Sequence, residues 1–485
     1  MKAISILGTT SNAGKSWVAT ALCAWLKNQG VRVAPFKGQN MSNNAYATLE
    51  GGEIGIAQAI QAEACGLRPV AEMNPILLKP SSDGASQIIR LGEAGPHLKA
   101  RDYYQSIQEN WGIVASTLDN WKDKCDVLVM EGAGSPVELN LLEKDIANLR
   151  PIEYVNGKWI LVGDIERGGV FAQLIGTWNL MQVEDQKRGI GCIANRFRGD
   201  PELFKDARGH FAKHMELPYL GLLPLREDLY IENEDSFSVN PENKSDSQLP
   251  FIAWIKYPRV SNTQDQLPWT LDKGVASRWV ESPQELEKAS AIILPGSKET
   301  LDDLQWIRMR GLDNVIIKKA QKGIPVVGIC GGYQMLGQSI HDSANSGAAI
   351  PGLGLLPIAT EFATEKTVVR RRALYQNYFW ETYEIHMGIS RHLENETRVP
   401  LLKILLDENT TANEGHLKGN VWGTYLHGIF ESPVMRNRLV NASKIAGVKI
   451  SAHSWKKKKS EIYDTMGSFV EENLNLQRVK AYLGI

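Results

Sequence analysis

No run of about 18 apolar residues occurs anywhere in the chain, so no segment reads as a membrane-spanning helix and no membrane partner is expected. The apolar run Ala3–Leu7 is too brief for the hydrophobic region of a secretion signal and leads directly into a glycine loop. Cysteine is scarce, with five in 485 residues: Cys23, Cys65, Cys125, Cys192 and Cys330. None forms a CxxC pair or sits beside histidine, which argues against a zinc site and a disulfide framework and fits a reducing, cytoplasmic setting. A dominant charge is lacking too. The formal net charge is −1, which gives no electrostatic reason to expect nucleic acid. The basic run Lys456–Lys459 reads as a solvated helix start. Repeats and low-complexity tracts are absent.

What is present is enough for several ordinary cores. Hydrophobic residues make up 43% and charged residues 22%, and the length suits two to four domains. Short apolar runs alternate with helical patterns: Ala3–Leu7, Val31–Phe36, Val127–Met130, Trp159–Gly163 and Gly191–Asn195. Such alternation predicts an α/β domain whose parallel sheet is covered by helices. A polar, aperiodic stretch at 238–250, flanked by prolines, reads as a linker. Strand-like runs resume at Phe251–Tyr257, Ala291–Leu294 and Val326–Ile329. The expectation is two α/β domains, 1–237 and 251–485, the second ending in a helical, charged extension after about residue 440.

Residues 328–334 read GICGGYQ. A strand runs into a glycine-rich turn holding Cys330, and a helix follows. The glycines are expected to supply the unusual backbone angles of a tight elbow. Cys330 would then stand at a helix N-terminus, where backbone N–H groups favour a thiolate and an oxyanion. Residues 422–428 read WGTYLHG, placing His427 at another strand end. A cysteine on an elbow with a distant histidine supplies the parts for covalent acyl-thioenzyme chemistry.

Residues 8–16, GTTSNAGKS, follow a strand and precede the helix expected at Trp17–Lys27. This is a phosphate loop one residue longer than the usual pattern. The loop of Gly8, Thr9, Thr10, Ser11, Asn12 and Gly14 is expected to cradle the phosphates of ATP. Lys15 would reach the transferred phosphate and Ser16 would bind Mg²⁺. Glu131 ends the strand Asp126–Met130 and is a second candidate Mg²⁺ ligand. Asp164 ends the next strand and is a metal or substrate candidate; Asn195, at a further strand end, is a candidate reader of a nucleotide base edge, with a surface loop as the alternative reading. The polar run Lys37, Gln39, Asn40, Ser42, Asn43 and Asn44 suits a carboxylate-rich substrate, with a capped turn as the plainer reading.

Several of these stretches carry family resemblances. GICGGYQ with the later TYLHG resembles the class I (Triad) glutamine amidotransferases, which implies Cys330 as nucleophile on glutamine and His427 as its base. The long phosphate loop resembles that of dethiobiotin synthetase and its relatives, which form carboxyl phosphates from ATP. APFKGQNMSNNA at 34–45, MNPILLKP at 73–80, PGSK at 295–298 and EIHMG at 384–388 extend this to the cobyric acid synthase family, over about residues 2 to 440. That resemblance implies amidation of the b, d, e and g carboxylates of adenosylcobyrinic acid a,c-diamide, with glutamine and the corrinoid as small-molecule partners. Oligomeric state stays open. The alternatives are the sister a,c-diamide synthases, or a P-loop switch ATPase with an inactive glutaminase domain. Many class I members carry glutamate two residues after the histidine; here that position is Ile429. Glu431 is not assigned the role, which leaves a Cys–His dyad or an acid from elsewhere. His386 is expected to be structural.

Overall fold

The structure is a computed structural model of the chain and describes residues 1–81, 84–232, 249–342, 349–394, 397–407 and 409–485. Two compact units emerge. Unit 1 comprises Met1–Ser42, Glu53–Glu232 and Lys459–Ile485; unit 2 comprises Asn43–Gly52 and Asn233–Lys458. This is not a linear division at 237. A short early segment belongs with unit 2, and the C-terminal helices pack in unit 1 where a continuation of the second domain was expected. Residues 238–248 of the expected linker lie outside the described residues.

Unit 1 is built on a six-stranded sheet, and every pairing in it is parallel. From one edge the order is Tyr219–Pro224, Gly189–Phe197, Lys158–Asp164, Lys2–Gly8, Val127–Glu131, Val33–Phe36. Runs such as Val127–Met130 and Trp159–Val162 are continuously apolar because helices cover both faces of such a sheet. Trp159, fully buried, anchors the core with Leu7, Leu128 and Leu161. The strands foreseen from apolar runs are all in this sheet, and Tyr219–Pro224 adds an edge. A second, mixed sheet of Gln39–Met41, Ile76–Pro80, Ala85–Arg90 and Glu93–Lys99 was not foreseen. The C-terminal helices fasten here: Lys27 meets Asp464 at 2.7 Å, and Lys2 Nζ donates to Tyr482 O at 2.7 Å.

Unit 2 repeats the theme in the order Ala276–Val280, Phe251–Ile255, Ala291–Leu294, Val326–Ile329, Val421–Thr424, His416–Lys418. The pairings are parallel except the last, which is antiparallel. A long antiparallel hairpin, Ile358–Tyr375 with Tyr378–His392, is added to this α/β core. Its fourteen register pairs are interrupted by one bulge between Glu361 and Lys366. No helix among the described residues is long and apolar enough to cross a membrane.

Candidate active sites

In unit 1 the C-terminal ends of parallel strands converge, which is where such sheets place ligands. Strand Lys2–Gly8 delivers the loop to helix Lys15–Asn28. Asn12 and Gly14 take positive φ, 61° and 96°, so the loop turns sharply just before the helix. Gly8 is required by close approach. A Cβ there would lie 2.8 Å from the Lys15 side chain. Lys15 Nζ donates to Thr10 O at 3.0 Å and Gly134 O at 2.9 Å. Thr9 Oγ1 donates to Gln173 Oε1 at 3.1 Å. Asn195 Nδ2 donates to Ala13 O at 3.1 Å, which ties that strand end to the loop. Asp164 meets Arg196 at 3.3 Å, and Arg196 in turn donates to Asn12 O at 2.9 Å. The structure therefore brings Gly8, Thr9, Thr10, Asn12, Gly14, Lys15, Ser16, Glu131, Asp164 and Asn195 around one loop. Ser11, in the same loop, is exposed.

Glu131 is almost fully buried and is met from three sides. Ser16 Oγ donates to Oε1 at 2.9 Å, Lys37 Nζ lies 2.7 Å from Oε1, and Gln61 Nε2 donates to Oε2 at 2.5 Å. A hydroxyl adjoining a carboxylate is the hard-oxygen pair that Mg²⁺ accepts, the ion's remaining sites going to water and phosphate. No group of three or more His, Cys, Asp or Glu residues suited to a metal occurs among the described residues. Two further buried atoms lack partners here: Gln61 Oε1 and Gln58 Nε2. Both belong to helix Ile56–Ala64, where glutamine interrupts an Ala/Ile run at i and i+3. That repeat on a buried face was the overlooked signal.

The polar run Lys37–Asn44 is not an open row of donors. Lys37 is committed to Glu131, Gln39 Oε1 accepts from the Tyr103 hydroxyl, and Asn40 Nδ2 donates to Gln58 Oε1 at 3.0 Å. Ser42 is buried with its amide on Leu78 O at 3.0 Å. Asn43 keeps a buried, unpartnered Oδ1, and Asn44 is buried in unit 2.

In unit 2 the elbow works differently from expectation. Cys330 itself takes the strained angles, φ 51° and ψ −110°. Its glycine neighbours serve close packing. A Cβ on Gly328 would lie 2.6 Å from Tyr333 Cα, and one on Gly332 would lie 1.9 Å from Leu294 O. The following helix, Gly331–Met335, is a single short turn, so it offers little macrodipole. Gly296 passes against the histidine, where a Cβ would lie 2.8 Å from His427 Cε1.

Sulfur and ring meet in a buried site: His427 is fully buried and interacts with the Cys330 side chain, and Cys330 Sγ also donates to Ile385 O at 3.4 Å. The acid is Asp265. Its Oδ2 accepts from His427 Nδ1 at 2.7 Å and its Oδ1 from the Gly428 amide at 2.6 Å. Burial alone would lower the His427 pKa, but the Asp265 carboxylate and Cys330 outweigh it and push it up to about 10. Asn262 Nδ2 faces the other ring nitrogen at 3.0 Å. The arrangement can deprotonate a thiol and stabilise the resulting imidazolium, as an acid–histidine–nucleophile set does. Both acid and amide escaped sequence reasoning, since a polar turn 162 residues before His427 carries no local mark. His386 has both nitrogens occupied, by Gly388 O at 3.0 Å and Glu384 Oε2 at 3.1 Å, and stacks on Tyr425.

Residues 4–237 match the family described as the CobQ/CobB/MinD/ParA nucleotide binding domain, and residues 251–435 match the CobB/CobQ-like glutamine amidotransferase domain. A chain uniting these two modules is a glutamine-hydrolysing carbon–nitrogen ligase. The cobyric acid synthase of Desulforudis audaxviator is 40% identical over 503 residues, spanning 100% of this chain and 99% of its own length. That of Rhodococcus jostii is 40% identical across 99% of this chain and 95% of its own, and that of Chloroflexus aurantiacus 43% across 89% and 90%. The chain belongs to the cobyric acid synthase family. The first of these similarities also runs past residue 440, through the C-terminal helices.

Proposed function

We propose that this enzyme converts the b, d, e and g carboxylates of adenosylcobyrinic acid a,c-diamide to carboxamides in cobalamin biosynthesis, drawing nitrogen from glutamine and energy from ATP. The observation that carries the reading is the pairing of a cysteine–histidine–aspartate site with a separate phosphate loop, in a chain 40% identical over its length to a cobyric acid synthase. In unit 2, the Cys330 proton passes to His427 and the sulfur attacks the glutamine carboxamide carbon. His427 returns the proton to the departing ammonia, and water then releases glutamate from the thioester. Asp265 holds the ring in the Nδ1–H tautomer and balances the imidazolium.

In unit 1, the loop amides and Lys15 hold the ATP phosphates while a substrate carboxylate oxygen attacks the terminal phosphorus and ADP leaves. Ammonia then displaces phosphate from the acyl carbon. Magnesium held by Ser16 and Glu131 would neutralise phosphate charge. Asn195 reads the base, and Asp164 and the run Lys37–Asn44 serve the corrin side, Lys37 acting through Glu131. The enzyme works in the cytoplasm.

Mass spectrometry of the corrinoid after incubation with glutamine, ATP and Mg²⁺ tests this. The expected product has the b, d, e and g carboxyls converted. Conversion of cobyrinic acid to its a,c-diamide and no further would overturn it in favour of the sister activity.

A further inference from the structure

Asn195 and Arg196 are adjacent in the chain, and they take hold of adjacent carbonyls in the phosphate loop. Asn195 Nδ2 donates to Ala13 O at 3.1 Å, and Arg196 Nη1 donates to Asn12 O at 2.9 Å. A regular strand forbids this, because successive side chains point to opposite faces of the sheet. The backbone shows how it is managed. The pairing of Gly189–Phe197 with the edge strand Tyr219–Pro224 slips between Asn195, opposite Leu223, and Phe197, opposite Pro224. Arg196 is the extra residue of that bulge, and its φ is 65°. A bulge re-aims a side chain. A left-handed backbone at arginine is strained, and such strain persists only where the surroundings hold it. The two together bring Arg196 to the loop that Asn195 already grips.

What the re-aimed side chain meets accounts for the strain. Asp164 ends the adjacent strand Lys158–Asp164, in register with Asn195, and is buried. Its Oδ1 accepts from the Glu166 amide at 2.8 Å, and its Oδ2 accepts from Arg196 Nη1 at 3.3 Å. One guanidinium nitrogen therefore joins an acid at a strand end to a carbonyl of the loop. Asn12 is itself left-handed, φ 61°, so the clamp closes on the loop's own turn. Arginine suits the task because its guanidinium stays charged and holds its donors in a fixed planar fork.

We infer that Arg196, aimed by the bulge and steadied by Asp164, is a positioning residue of the phosphoryl-transfer site: it holds the Asn12 turn of the loop Gly8–Ser16 in the shape that receives the phosphates of ATP. This rests on the reading of that loop as the ATP site. Arg196 acts through Asn12 and does not touch the reacting atoms. Asp164 gains a task beside its corrin-side one, since it orients Arg196. A turn already fixed needs no ordering when nucleotide binds. The clamp serves bound ATP and the transition state alike, so its effect falls on ATP affinity and leaves the chemical step nearly unchanged.

The test is binding of the non-hydrolysable β,γ-imido analogue of ATP to the full-length enzyme with Mg²⁺, measured by calorimetry, beside ammonium-supported amidation at varied ATP. Arg196→Gly removes the guanidinium and suits the left-handed backbone, so the variant is expected to fold. It should weaken analogue binding about tenfold, the scale of one charge-assisted hydrogen bond, and raise KM for ATP as much while kcat stays within about twofold. A merely structural defect would cut kcat and thermal stability together. Arg196→Lys keeps a cation on a flexible stem and should recover part of the affinity. Asp164→Asn should weaken analogue binding about threefold in wild type and add nothing in Arg196→Gly, because an acid that reaches ATP only through the guanidinium is silent without it. Thermal unfolding checks each variant; if Arg196→Gly does not fold, Arg196→Lys decides. Unchanged affinity in the folded variant overturns the inference, as do additive losses in the double variant. Wild type that binds no analogue would instead overturn the reading of the loop beneath it.

Discussion

The phosphate loop and the thiol site are assembled in opposite ways. The first is one run of chain, Gly8–Ser16, completed by residues at the ends of neighbouring parallel strands. Its parts hold one another: Lys15 on Thr10 O, Asn195 on Ala13 O, Ser16 on Glu131. The second gathers Asn262, Asp265, Gly296, Cys330, Ile385 and His427, with Asn44 behind them. A site made from one run is fixed by local folding. A site made from many runs depends on every segment that supplies a part, and can be adjusted through any of them. That difference suits their tasks. Phosphate binding needs a cradle that is always ready, whereas ammonia is wasted if it is released early.

The comparison can be broken most forcefully by removing one nucleophile or one cation. Cys330→Ala should lower glutamine-supported amidation by at least about 10³-fold and leave ammonium-supported amidation in place. Lys15→Ala should lower both by about 10³-fold, the scale of a lost phosphate-stabilising charge. Parallel assays with glutamine and with ammonium chloride distinguish these patterns. Lys15→Ala that still amidates with ammonium would mean the two sites do not divide the work as described.

A smaller effect sharpens the second site. Asp265→Asn keeps the shape but removes the carboxylate that raises His427. Glutamine turnover should fall by about 10²- to 10⁴-fold, as when a histidine loses its orienting acid. The remaining activity should lose its alkaline limb at lower pH than wild type, because a less basic His427 gives up its proton sooner. A pH–rate profile of glutamate release measures this, and an unchanged alkaline limb would show that Asp265 does not act through the ring.

The same contrast explains what the sequence disclosed. The parallel strands of both units were legible because strands buried on both faces are written as unbroken apolar runs. The phosphate loop was legible because glycines, Lys15 and Ser16 are adjacent in the chain. Cys330 and His427 were legible through their glycine-rich neighbours, although the strain expected of those glycines sits on Cys330 itself. Asp265 was not legible, since an aspartate in a polar turn resembles any surface acid until the fold carries it to His427. Nor was the placement of Asn43–Gly52 or of the C-terminal helices, which depends on tertiary partners such as Asn262 and Lys27. The unit 1 mixed sheet and the unit 2 hairpin escaped notice because their strands face solvent in part and alternate weakly.

The central claim is that nitrogen released at Cys330 is built into a carboxylate activated at the phosphate loop. It is tested most directly with glutamine carrying ¹⁵N in its amide, ATP, Mg²⁺ and the corrinoid acid, in the presence of unlabelled ammonium at an equal concentration. Mass spectrometry of the product should find ¹⁵N in the new carboxamides of the wild type, and only unlabelled nitrogen in those of Cys330→Ala. Unlabelled carboxamides from the wild type, or ¹⁵N in the product of Cys330→Ala, would contradict it.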